Sequence, residues 1–167
     1  MLSFRKATKE DAEGIAILHT ESWKNAYKGI LSDEYLDRNV LKNRLETWKL
    51  RFDNPSINQF IILAEANNTL LGFVCIFRNQ DTEFGSLIDN LHVKPDFKGK
   101  GIGKKLLNKA SDLIFEKYKT KLMHLWVFEA NTSAIGFYKK LGGKNTERSL
   151  KENPDGTKSY CFRMVWE

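Results

Sequence analysis

Three glycines at alternate positions, Gly99, Gly101 and Gly103, interleave with Lys98, Lys100 and Lys104 in the stretch FKGKGIGKKLL. Glycine lets backbone N–H groups approach a ligand with no Cβ in the way. A helix opening on such a loop adds about half a positive charge at its N-terminus, so these residue types suit a pyrophosphate. Spacing separates the phosphate loops. A G-x-x-x-x-G-K-[ST] loop counted from Gly99 would need a glycine where Lys104 stands, and no Ser or Thr follows. A dinucleotide fingerprint needs G-x-G-x-x-G, whereas the pattern here is G-x-G-x-G. From Lys94 to Lys121 nine lysines face only Asp96, Asp112 and Glu116, a net +6 that equals the charge of the whole chain. Charge localised around a glycine loop points to a polyanionic ligand.

The elements that must position this loop follow from periodicity. Residues 2–7 alternate as a first strand. A helix over 9–27 carries Ala12, Ile15, Ala16, Leu18, His19, Trp23 and Ala26 at helical spacing, capped by Thr8 with Asp11 three residues on. SDEYLDRN predicts a short helix, and VLKNRLETWKLRF a longer one with Leu41, Leu45, Trp48 and Phe52 on one stripe. Residues 59–66 and 69–77 around Asn67-Asn68 read as a hairpin, and 85–93 as a third strand leading into the glycine loop. The following helix places Ile102, Leu106, Leu107, Ala110, Leu113 and Ile114 on one face. A strand over 122–130, a helix over 132–141 and two final strands about the turn at 153–156 complete one mixed α/β domain over residues 1–167.

Two stretches then resemble one family. Lys98-Gly99-Lys100-Gly101-Ile102-Gly103 is similar to the [Q/R]-x-x-G-x-[G/A] hallmark of the GNAT superfamily of acyl-CoA-dependent N-acetyltransferases, with Lys98 where Gln or Arg is usual. EANTSAIGFYKKLGG resembles that family's second motif at Asn131, Ala134, Phe137, Tyr138, Lys140 and Gly142, with Gly143 where Phe is common. SWKNAYKGILSDEYL looks like the first helices of one bacterial branch. The resemblance implies a central, mostly antiparallel mixed sheet of six to seven strands, splayed at the cofactor site and flanked by four to five helices. It also implies N-acetyl transfer from acetyl-CoA to a primary amine.

The same resemblance assigns residues. Pantetheine is expected along the backbone of Leu91, His92 and Val93 as an added strand, with pyrophosphate on the N–H groups of residues 99 to 104. Lys98, Lys100 and Lys104 would add charge, and Asn131, Ala134, Phe137 and Lys140 would line the cofactor, Asn131 also capping its helix. Tyr138 is expected to protonate the leaving thiolate. For the base, Asp89, Glu129 and a water relay all stay open. Strand alternation puts Asp89 on the face of Leu87, Leu91 and Val93, with His92 opposite, unless a bulge intervenes. Trp23 and Tyr27, four apart, are expected to wall the amine pocket.

Other features exclude classes. No apolar run approaches the ~20 residues that span a bilayer, and no signal-peptide pattern opens the chain, so the expectation is a cytoplasmic protein. Cys75 and Cys161 fit neither a disulfide framework nor a zinc pattern, and no metal cluster is evident. No Cys or Ser is paired with a base at recognisable spacing, which favours direct transfer in a ternary complex. A non-catalytic acyl-CoA sensor is the alternative. A nucleic-acid module is disfavoured because aromatics do not interleave with the lysines. The acceptor amine, free or on a protein, stays open, as do other acyl groups; for assembly, a homodimer is the common default.

Overall fold

Alternate residues of the central strands face different helix layers. Along Gln59–Ala66 (β2), Ile61 and Leu63 join one buried cluster while Ile62 and Ala64 join another. Along Thr69–Asp81 (β3), Phe73 and Cys75 alternate with Val74 and Ile76 in the same way. A sheet apolar on both faces must be covered on both. The computed structural model, which describes residues 1–167, has that three-layer build.

In chain order the remaining elements are Ser3–Lys6 (β1), Ala12–Ala26 (α1), Val40–Asp53 (α2), Gly85–Val93 (β4), Ile102–Tyr118 (α3), Met123–Phe128 (β5), Thr132–Lys140 (α4), Lys144–Glu152 (β6) and Lys158–Trp166 (β7). The seven strands form one sheet in the order β1-β2-β3-β4-β5-β7-β6. Every neighbouring pair is antiparallel except β4 and β5. α1 and α2 cover one face, with Ile15, Leu18 and Trp48 packed on Phe73 and Leu63. α3 and α4 cover the other through Leu106, Ala110, Ile114 and Tyr138. Asn67 and Asn68 both hold positive φ, as a tight hairpin turn between β2 and β3 demands.

The structure corrects the sequence reading at α2. The two expected helices are continuous, joined by a π-helical turn over Tyr35–Asn39. A wider turn holds about one extra residue, which rotates the helix that follows. Val40 is buried at 1% exposure, and Leu41, at the start of α2 and expected inside, is 43% exposed. Leu45, Trp48 and Phe52 pack inward as expected, and Val40, Arg44 and Arg51 extend that side, with both arginines partly buried.

Two irregularities shape the centre. β4 and β5 pair only at Ser86–Met123 and Leu87–His124, then diverge. Beyond that point the β4 edge from Ile88 to Val93 faces a gap, since β5 spends its other edge on β7. The β3–β4 register also shifts between Cys75–Asn90 and Ile76–Ile88, leaving Asp89 as a bulged residue.

Candidate active site

The glycine loop enters α3 with its donors free. Gly99 and Gly101 have φ of 76° and 79°, and a Cβ at either would project into open space. The first helical bond runs from the Lys105 N–H to the Gly101 carbonyl at 3.1 Å. None of the N–H groups from Gly99 to Lys104 donates to a protein acceptor. Six free donors at a helix N-terminus make a cradle suited to an anion. Gly103 serves a different end: a Cβ there would lie 3.2 Å from Phe137 Cζ, so this glycine sets the α3–α4 spacing. Ile102 is buried beneath the loop.

The lysines divide similarly. Lys98 donates to Asn25 Oδ1 at 2.9 Å and ties the loop to α1, and burial lowers its pKa. Lys100 lies over the Phe97 ring at 4.6 Å. Lys104 and Lys140 line a groove of about 350 Å³ with Asn108, Ser111, Met123 and Trp166.

Two phenols converge near that gap. Tyr138, at 9% exposure, packs edge-on to Trp166 and Phe137. Burial first, then Tyr27, raises its pKa. Tyr27, at the end of α1, meets Phe128 of β5 edge-on at 4.8 Å, and burial raises it to about 12. Neither hydroxyl bonds to a protein group. Asn131 caps α4, accepting from the Ala134 N–H at 3.2 Å, and Ala134 is partly buried against the same core. Gly143 departs from the motif because Trp166 occupies the space: a Cβ at Gly143 would lie 2.7 Å from Trp166 Cζ2. The indole is fixed by its Nε1–H donating to the Leu141 carbonyl at 3.0 Å.

The bulge overturns the expected faces of β4. Leu91 and Val93 pack toward α3, whereas Asp89 joins His92 on the α1–α2 side. Asp89 Oδ2 accepts from Arg51 Nη1 at 2.7 Å and also from Asn90. Glu129 is held by Arg148 at 2.9 Å, which lowers its pKa. His92 Nδ1 lies 2.8 Å from Ser22 Oγ, and its ring stacks on His19 at 4.4 Å. Burial, then the charges of Lys98 and Arg44, pull His92 down to about 3. His19 is held well below its ordinary value by burial, with His92 adding to it. His19 Nδ1 accepts from Trp48 Nε1 at 2.9 Å.

Trp23 and Tyr27 stand 5.3 Å apart on one wall, with the Arg44 guanidinium over Trp23 at 4.4 Å. Asn43 Oδ1 accepts from Tyr35 and from Arg44. The β6–β7 turn closes this side, where Asp155 Oδ2 accepts from the Ser32 N–H at 2.7 Å.

The sequence reading missed Ser22, Arg44 and Arg51. Ser22 and His92 form a pair from 70 residues apart, beyond any spacing rule. The arginines did leave a signal: Arg44 and Arg51 stand four before and three after Trp48, on its helical face.

Comparison with known proteins agrees with this geometry. Residues 17–143 match the model of the Acetyltransferase (GNAT) family. A spermidine N(1)-acetyltransferase of Thermoplasma acidophilum is 31% identical over 149 residues, covering 86% of this chain and 88% of that protein. An N-acetyltransferase of Methanocaldococcus jannaschii is 30% identical over 87% of this chain, which spans 62% of that protein's length. Among solved structures, a PaiA N-acetyltransferase of Thermoplasma acidophilum in complex with coenzyme A superposes with a TM-score of 0.72 at 24% identity, over 99% of both chains.

Proposed function

The chain belongs to the GNAT family of acetyltransferases, and on that premise we propose that it acetylates a primary amine by direct attack within a ternary complex. The observation that carries this reading is the free N–H row from Gly99 to Lys104, set beside a sheet that opens between β4 and β5. Acetyl-CoA supplies, when bound, an acyl group activated as a thioester. The loop N–H groups fit its pyrophosphate, and the unpaired edge at Leu91, His92 and Val93 fits pantetheine as an added strand. Lys104 and Lys140 border the groove nearest the nucleotide end, and Asn131, Ala134 and Phe137 form the α4 flank.

The two sides of the sheet divide the work. Donor contacts come from the α3–α4 side and acceptor contacts from Trp23 and Tyr27 on the α1 side, so the substrates meet through the gap. Overall the N–C bond forms, the C–S bond breaks with its electron pair on sulfur, and the proton lost by the amine is balanced by protonation of the thiolate. Tyr138 holds the proton for sulfur: its buried phenol stays protonated and has no protein acceptor. Asp89 and Glu129 are each bound to an arginine, which supports loss of the amine proton to water. Ser22, at 3% exposure, offers a thioester no approach, which supports direct transfer over an acyl-enzyme.

The test has two arms. Coenzyme A should raise the melting temperature in a concentration-dependent way, and acetyl-CoA with an amine panel should release thiol and yield an acetylated product by mass. Coenzyme A binding with no turnover on any amine would favour the acyl-CoA sensor.

A further inference from the structure

The charges around the acceptor side do not balance. Asp89 is committed to Arg51 and Asn90, Glu129 to Arg148, and Asp155 to the Ser32 N–H and Thr157. Each of these three carboxylates therefore has its own partner. Arg44 does not: it bonds only to the neutral Asn43 amide, lies over Trp23, and has no carboxylate within ion-pairing distance. Lys98 likewise meets only a neutral amide, that of Asn25.

A partly buried guanidinium without a counter-charge is costly to hold. The inward row of α2 nevertheless points Arg44 at the wall formed by Trp23. The Trp23 Nε1–H adds a second donor there, buried with no acceptor in the protein. Arg44 Nε and Nη2 donate to Asn43, which leaves its Nη1 without a partner, and Trp23 Nε1 has none either. Such donors call for a group that accepts hydrogen bonds, and a guanidinium suits a carboxylate best. The same guanidinium repels a second ammonium brought beside it. Burial lowers the Arg44 pKa, and the opposing influence of Tyr35 and Asp89 does not offset it.

We propose that the acceptor is an amine that also carries a carboxylate, and that Arg44 binds the carboxylate while the amine faces the gap between β4 and β5. This rests on the acetyl-transfer reading above and narrows its substrate class. A polyamine is the competing class, and the geometry disfavours it.

The experiment compares matched pairs: L-lysine with cadaverine, L-tyrosine with tyramine, and L-methionine with 3-methylthiopropylamine, with spermidine alongside. Thiol release from acetyl-CoA gives kcat/KM for each. The carboxylated member should lead by about tenfold or more, as expected for a charge-assisted hydrogen bond. Arg44→Met should abolish the lead mainly through KM, and Arg44→Lys should keep part of it. If Arg44→Met fails to fold, the wild-type pairs still decide. Equal or better turnover of cadaverine, tyramine or spermidine would overturn the proposal while leaving acetyl transfer intact. If no pair turns over, the pairs are ranked by the melting-temperature shift they add to coenzyme A-saturated protein. A larger shift with the carboxylate supports the proposal, and no difference overturns it. Failure of coenzyme A itself to bind would sink both readings.

Discussion

Tyr138 carries the sharpest demand at the scale of one residue. Its hydroxyl sits near the sheet opening with no partner, and burial keeps it protonated. Tyr138→Phe removes one oxygen and leaves the packing on Trp166 in place. Turnover should fall about 100-fold, within the usual range for a positioned acid, while coenzyme A affinity stays unchanged by calorimetry. A fall shared equally with affinity would assign Tyr138 to cofactor packing instead. Asp89→Asn should cost less than about tenfold in turnover if water takes the amine proton. The pH profile gives an independent check. His92, held at about 3, stays neutral from pH 5 to 8. Activity should therefore rise with pH as the acceptor amine deprotonates, with no second limb in that window.

Among elements, β4 is the one whose position matters most, and Gly72 on β3 sets it. A Cβ at Gly72 would lie 2.8 Å from the His92 carbonyl oxygen and 3.1 Å from Leu106 Cδ1. Gly72→Ala must push β4 or α3 outward, at about 1–3 kcal/mol of stability by urea titration. It should also raise the KM for acetyl-CoA, because the displaced edge is the one proposed to take pantetheine. Gly101→Ala tests the loop separately: φ of 79° disfavours any side chain by about 1–2 kcal/mol. The strands, the α3 face and the cradle were legible in the sequence because period-2 and helical patterns are local. In α2, Leu45, Trp48 and Phe52 were legible too, but the packing of Arg44 on Trp23 and of Arg51 on Trp48 was not, since a charged residue adds nothing to an apolar period. Nor was the side taken by Asp89, which depends on one bulged residue that alternation cannot foresee.

Across the whole molecule, the three histidines make stability depend on acidity in a way the carboxylates do not. His19, His92 and His124 are all shifted below their ordinary value, chiefly by burial. The unfolded chain therefore binds protons that the folded chain refuses, and stability falls as pH drops below about 6.5. Asp11 and Asp53, both lowered to about 2 by their ion pairs, lose their contributions only as pH falls from about 3.8 toward 2. The carboxylate losses set in only as pH falls toward the ordinary carboxylate values, so losses between pH 6.5 and about 5 belong chiefly to histidine. With His92 at about 3, its share alone should be about 2 kcal/mol between pH 8 and pH 5. Urea unfolding at pH 8, 6 and 5 measures the slope, and His92→Gln should flatten it. Equal stability at pH 8 and pH 5 would show that the histidine cluster between α1 and β4 accepts protons without unfolding.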